Sequence, residues 1–260
     1  VALNSATLNL TRVLGPTVAA AFLATRFGVA GAFYFNGLTF VAVLVGLMIM
    51  DIPPHPARRR HQNILTDMRG GLAYINRSSI LRPLVMLAAV PMIFGMPYQA
   101  MSALVARNVL NLQGSGYGIL TAASGIGALC GALYVASLGL EARKGRLMMY
   151  GLLAFGAAIT VFALSSWFAL SIVAMVCIGV AQQIYLASNN TLLQMHAEDE
   201  YRGRVLSMLF LSRGTVPLGT MVASLLATVI GVQWALAGMA VVLLLIAVVT
   251  MITAPKMRTL

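Results

Sequence analysis

Charge is scarce in this sequence, and negative charge is scarcest. Only 9% of its 260 residues are charged, and six are acidic, where a soluble domain carries about a quarter charged residues. None of the six (Asp51, Asp67, Glu141, Glu198, Asp199, Glu200) lies inside a long apolar run, and neither do the three histidines His55, His61 and His196. An intramembrane metalloprotease or di-metal centre needs His and carboxylate ligands, so that chemistry is excluded. No GxxxxGKS or GxxxxGKT phosphate loop occurs, which removes the usual ATPase module. The expectation is therefore no enzyme, no metal and no cofactor. Cys130 and Cys177 each sit within apolar sequence, where a thiol serves as a small hydrophobe, so no disulfide framework is indicated.

What is present is apolar. Sixty per cent of the residues are hydrophobic and the mean hydropathy is +0.91, which makes the lipid bilayer the natural solvent. A spanning helix needs about 20 mostly apolar residues. Eight stretches qualify: 3–25, 29–50, 83–106, 117–138, 147–164, 167–193, 205–229 and 233–253. The fold class is thus all-α, a multi-pass transmembrane helix bundle. The opening VALNSATLNL has no initiator Met and no basic n-region with a cleavage site, so it is expected to be a cut end, not a signal peptide.

Seventeen Lys and Arg give a net charge of +11, too few and too spread to form a nucleic-acid face. Their placement follows membrane topology instead. With the first span leaving the cytoplasm, one side collects Arg58, Arg59, Arg60, Arg69, Arg77, Arg82, Arg143, Lys144, Arg146, Arg202, Arg204, Lys256 and Arg258, and the other only Arg26 and Arg107. The positive-inside rule then places both ends of the chain in the cytoplasm. In the longest connection, Ile64, Leu65, Met68, Leu72 and Ile75 recur at helical spacing. They predict an amphipathic helix on the inner membrane face, beside a basic cluster able to meet anionic lipid.

The two ends of the chain resemble each other. LTRVLGP at 10–16 and LSRGTVP at 211–217 each set an arginine four residues ahead of a proline, Arg12 with Pro16 and Arg213 with Pro217. Leu-Ala-Thr and Gly-Val follow in both, at 23–25 and 28–29, then at 226–228 and 231–232. The first pair of spans thus matches the last pair in the same orientation, with four spans between. That is a parallel six-helix repeat, the organisation of the two halves of major facilitator transporters. On this count the chain holds helices five to twelve, eight of twelve. Residues 1–50 are the last two helices of the N-terminal half, 51–82 the cytoplasmic central loop, and 83–260 the C-terminal half.

Polar residues inside the spans mark the candidate sites. Gln182, Tyr185, Leu186 and Asn189 share one helical face, with Gln183, Asn190 and Gln194 beside it. Amides in lipid need partners, so this face turns toward a watery cavity or bonds to other helices. The span 83–106 carries Pro91, Pro97, Tyr98, Gln99 and Ser102, and its prolines free backbone carbonyls and allow kinks. Arg12 and Arg213 lie about eight residues inside their spans, roughly 12 Å at 1.5 Å per residue. Each either snorkels to the headgroups or faces the bundle interior, paired with carbonyls, a carboxylate or an anionic substrate, and their matched placement favours a shared gating or structural role over a single binding site. Ala123, Gly127 and Gly131 at four-residue spacing predict close helix packing.

The stretches ALNSATLNLTRVLGPTVAAAFLATRFGVAGAFYFNGLTFVAVL, GYGILTAASGIGALCGALYVA and NNTLLQMHAEDEYRGRVLSMLFLSRGTVPLG resemble helices five and six, helix eight, and the join of helices ten and eleven in the bacterial efflux branch of the major facilitator superfamily. That branch contains the enterobactin exporters and macrolide efflux proteins. The resemblance implies a secondary active transporter that exports small amphipathic compounds such as drugs or siderophores from the bacterial inner membrane by alternating access. It implies a pathway lined by helices seven and ten, here by Tyr98, Gln99, Ser102, Gln182, Gln183, Tyr185, Asn189 and Asn190. Proton coupling needs a titratable carboxylate in the pathway, and that group is expected in helices ahead of residue 1. The family's charged gate between helices eight and nine is matched loosely by GLEARKGR, with Glu141, Arg143 and Arg146. The alternative is a membrane scaffold that holds lipid or a partner through Arg58, Arg59 and Arg60 without transporting anything.

Overall fold

The computed structural model describes residues 28–50, 64–112, 114–138, 143–198, 201–254 and 257. Among them the regular elements are all helical: α1 (Gly28–Ile49), α2 (Ile64–Arg77), α3 (Leu81–Phe94), α4 (Tyr98–Asn108), α5 (Gly114–Ser137), α6 (Lys144–Leu164), α7 (Phe168–His196), α8 (Arg202–Arg213), α9 (Val216–Ile230) and α10 (Val232–Thr253). Lipid offers no hydrogen-bond partners, so a helix, which satisfies its own backbone, is the available form for these apolar stretches. Among the described residues six spans are long and apolar enough to cross a membrane: Leu81–Asn108, Gly116–Ser137, Lys144–Leu164, Phe168–His196, Gly203–Ile230 and Val232–Thr253. The expected span 29–50 corresponds to α1, of which Phe33–Ile49 is a shorter apolar helix. The span 3–25 lies outside the described residues. Phe33, Tyr34 and Met48 of α1 are 72%, 81% and 84% exposed, as suits a helix apolar on every side.

Two of the six spans are interrupted. Between α3 and α4 the chain turns at Gly95–Pro97, where the Gly95 and Met96 amides both donate to the Pro91 carbonyl, at 2.9 and 2.8 Å. Pro97 cannot donate, which ends the regular ladder there. Between α8 and α9 the helix tightens. Gly214 donates to the Leu211 carbonyl at 2.9 Å and Thr215 to Ser212 at 3.1 Å, the i to i−3 pattern. Pro217 then stands in the first turn of α9, where its missing N–H does least harm. α9 and α10 are joined at Gly231, whose φ of +84° is a conformation glycine adopts without steric penalty.

Helices α5 and α7 approach backbone to backbone. A Cβ placed on Gly127 would collide with the Val176 carbonyl, one on Gly131 would stand 2.6 Å from the Val180 carbonyl oxygen, and one on Gly179 would collide with the Ser124 carbonyl. The small-residue spacing expected from sequence thus marks a real helix contact. α6 packs on the other side of α7, and the buried core is built from Leu84, Leu87, Met148, Leu152, Phe155, Ile159, Ile178, Leu193 and their neighbours.

The expected amphipathic helix in the central connection is α2, and it docks on protein. Tyr74 stacks on Tyr201 just ahead of α8, with ring centroids 4.3 Å apart and planes 7° from parallel. The Tyr74 hydroxyl accepts the Glu198 backbone N–H at 3.2 Å. The Arg204 guanidinium lies 5.2 Å from the Tyr201 ring centre, and its side-chain stem runs across Gly71. Of the expected apolar stripe, Ile75 is buried in this contact while Leu72 is 51% exposed. The side chains of Ile64, Leu65 and Met68 lie outside the description. Stacked aromatic pairs contribute about 0.5–1.5 kcal/mol beyond burial. In a double-mutant cycle of Tyr74→Ala and Tyr201→Ala, unfolding in detergent should therefore give a coupling near 1 kcal/mol. A coupling of zero would mean that the two rings do not meet.

Candidate functional site

The polar face of α7 meets α3, α4 and α5 near the middle of the bundle. The Tyr98 hydroxyl, at the start of α4, donates to Gln182 Oε1 at 3.0 Å and lies 3.2 Å from Ser124 Oγ of α5. Gln182 Nε2 donates to Met96 Sδ at 3.1 Å, at the turn between α3 and α4. The Tyr98 ring meets the Phe155 edge at 82° with centroids 5.9 Å apart. Gln182 and Tyr98 are each 2% exposed, so this is a sealed network joining four helices.

One proline inside α3 and one in the turn after it explain two further contacts. Pro91 has no N–H, so the carbonyl four residues earlier, on Leu87, lacks its helical donor. The Tyr185 hydroxyl of α7 donates to that Leu87 oxygen. Pro97 likewise frees the Ile93 carbonyl, and the backbone of Gly219 in α9 rests against it so closely that a Cβ there would collide. Each freed carbonyl is covered by a neighbouring helix.

The remaining candidate residues divide by burial. Ser102 is buried and donates to the Gln99 carbonyl at 2.8 Å, while Gln99 itself is exposed. Gln183 is buried against Gly131. Ser188 Oγ and Asn189 Oδ1 are buried without a hydrogen-bond partner among the described residues. Asn189 and the half-buried Asn190 line a crevice with Ala88, Met92, Tyr185, Leu186, Leu209 and Arg213. Arg213, the last residue of α8, is exposed, with its guanidinium 5.1 Å from the Phe210 ring centre. No acidic residue occurs in α1 or in the six spans. Arg143 and Arg146 are exposed at the start of α6, whereas Lys144 between them is 6% exposed. Glu141 and Arg12 lie outside the described residues. A second cavity of about 500 Å³ opens at the far end of the bundle, where α4 and α9 end and α10 begins, lined in part by Asn108, Ser224, Thr228, Gln233 and Trp234.

Comparison with known proteins fits this architecture. The family described as transmembrane secretion effector, a branch of the major facilitator superfamily, is matched over residues 1–259. The chain belongs to that family. Among curated proteins, the enterobactin exporter EntS of Shigella flexneri is 26% identical over 209 residues, covering 78% of this chain and 47% of the exporter. The EntS proteins of Shigella boydii and Escherichia coli match at the same identity over 48% of their length. The chain therefore spans about half the length of the curated relatives it matches.

This secretion-effector chain is a multi-pass membrane protein, and its polar residues fall into two groups. Tyr98, Gln182 and Tyr185 have their hydrogen bonds filled by other helices, so in this conformation they hold α7 to α3, α4 and α5. Asn189 and Arg213 have capacity left over. Sequence reasoning did not single out Ser124, Met96, Ser188 or Phe210. Ser124 stands three residues before Gly127, on the face that packs most closely, and that spacing was its one available signal.

Proposed function

We propose that the chain forms part of a secondary active efflux transporter, which exports small amphipathic compounds such as drugs or siderophores by alternating access in the bacterial inner membrane. The observation that carries this reading is the family match along residues 1–259, and the enterobactin exporters among its relatives point to outward movement of an organic small molecule. In this reading residues 1–50 close an N-terminal six-helix half, 51–82 form the central loop, and 83–260 form the C-terminal half. Both ends of the chain face the cytoplasm, in keeping with the Lys and Arg asymmetry. The interrupted spans α3–α4 and α8–α9, whose breaks adjoin through Ile93 and Gly219, supply places where helix segments can shift. Proton coupling would draw on a carboxylate outside the six spans described.

The test is transport by the complete polypeptide that carries this chain, reconstituted in proteoliposomes. An imposed proton gradient is expected to drive accumulation of a fluorescent amphiphile, and a protonophore to abolish it. Gradient-independent behaviour equal to that of protein-free vesicles, across a panel of anionic, neutral and cationic amphiphiles, would remove the transporter reading. It would favour the scaffold, whose loss on replacing Arg58, Arg59 and Arg60 could then be measured.

A further inference from the structure

We propose that Arg213 and Asn189 form an anion-recognition site at the junction of α3, α7 and α8, one that selects exported compounds carrying an acidic group beside an N–H or O–H donor. The inference rests on the efflux reading above and names the class of compound it would favour.

Position is the first consideration. Arg213 stands eleven residues after Arg202, at the opposite end of α8, which is roughly 16 Å at 1.5 Å per residue. That is about half the thickness of the hydrocarbon core. A guanidinium at such depth is costly unless an anion, carbonyls or water attend it. No acidic residue in the six spans can serve as its partner, because there is none. The Phe210 ring holds one face of the guanidinium at 5.1 Å. A ring-face contact of this kind leaves the in-plane N–H donors of the fork available.

The second consideration is independent of the arginine. Asn189 lines the same crevice, is 1% exposed, and has a side-chain oxygen with no hydrogen-bond partner among the described residues. A buried acceptor left unsatisfied forfeits the hydrogen bond it made to water, and such exceptions call for an explanation. The Tyr185 hydroxyl is bonded to the Leu87 carbonyl, so Asn189 cannot draw on it. A ligand that supplies a donor to Asn189 and an anionic oxygen to Arg213 would satisfy both. Carboxylates, sulfonates and phenolates with an adjacent N–H or O–H have that pattern. The crevice is narrower than a water molecule in this conformation. Arg213, on a flexible stem at its exposed side, is the wall that would move to admit such a group.

Two probes that share a ring system and an N–H but differ in charge test this: 8-anilinonaphthalene-1-sulfonate and the neutral N-phenyl-1-naphthylamine. Protein-dependent binding is measured in vesicles of zwitterionic phosphatidylcholine, with protein-free vesicles subtracted. The complete wild-type polypeptide is expected to prefer the sulfonate by tenfold or more. Arg213→Gln should bring the ratio of the two affinities to near one, and Arg213→Lys should retain part of the preference. Asn189→Leu should weaken the sulfonate several-fold. Equal wild-type affinity for the two probes would overturn the site without need of any variant. So would a preference that survives Arg213→Gln unchanged, the result expected if Arg213 merely snorkels. Gradient-driven transport of the same probes separates the two readings. A sulfonate preference in binding with no transport keeps the anion site and removes efflux, whereas transport of both probes without preference keeps efflux and removes the anion site.

Discussion

Gly179→Leu is expected to lower the unfolding free energy by about 3 kcal/mol or more, the upper end of what overpacking costs. Gly179 of α7 lies on the Ser124 carbonyl of α5, with the Ala128 amide nitrogen also against it, and Gly127 of α5 answers on the Val176 carbonyl of α7. Lipid gives two apolar helices no hydrophobic reason to associate. Close packing does so instead, and it depends on small residues that let backbones meet. A leucine at 179 would have to displace backbone, not the end of a flexible side chain, so local relaxation cannot absorb it. α5 would separate from α7 along the contact, and Gly127 and Gly131 would lose their partners with it. Gly238→Leu is the matched control, since an added Cβ there meets nothing within 4 Å. Its leucine would face open surroundings and is the better helix former, so stability should not fall. Unfolding by denaturing detergent, followed for both variants, gives the comparison. A Gly179→Leu protein as stable as Gly238→Leu would mean that α5 and α7 do not touch at these positions.

The spans were legible in the sequence because the bilayer fixes their length and composition in advance. Any run of about 20 apolar residues has one stable form there, and the six spans fall within a few residues of where hydropathy places them. The contact at Gly127 and Gly131 was legible for a related reason: a helix face of small residues has few uses besides close approach. The interruption at Gly214–Thr215 has no signature in the sequence, although Pro217 stands close by. It arises from a local exchange of i−4 for i−3 hydrogen bonds, which leaves the apolar pattern untouched.

At the candidate site, helical periodicity correctly grouped Gln182, Tyr185 and Asn189 on one face. It could not say which of them would be engaged. That depends on what α3, α4 and the turn between them bring opposite, and the decisive partners are a thioether, a tyrosine hydroxyl and a backbone carbonyl, each more than 80 residues away in sequence. Backbone carbonyls carry no signature of their own. The one on Leu87 is distinguished only by a proline four residues later, so its need for a donor is readable from sequence while the identity of the donor is not.

That relation between Pro91 and Tyr185 gives the second large effect. Tyr185→Phe removes the hydroxyl that serves the Leu87 carbonyl and leaves a buried acceptor unpaired, at a cost of about 1–3 kcal/mol. Leu87 is 2% exposed and Tyr185 1%, so water cannot readily take the place of the hydroxyl. An ordinary interhelical hydrogen bond in a membrane protein is worth less, about 0.6 kcal/mol on average, because the unfolded helices find other partners. Here Pro91 denies the carbonyl its usual helical donor, so the hydroxyl counts for more. Pro91→Ala restores an N–H at position 91, four residues beyond Leu87, and with it the option of an intrahelical bond. In the Pro91→Ala background, Tyr185→Phe should therefore cost about 1 kcal/mol less than in the wild type, a coupling that a double-mutant cycle resolves. Equal costs in both backgrounds would mean that the Tyr185 hydroxyl stabilises α7 by some route other than the proline-freed carbonyl. The expected coupling would instead identify Tyr185 as the residue that allows α3 to keep a proline in mid-membrane. The interruption at Gly95–Pro97 would then be a feature held in place by α7 and not a weakness of α3 alone.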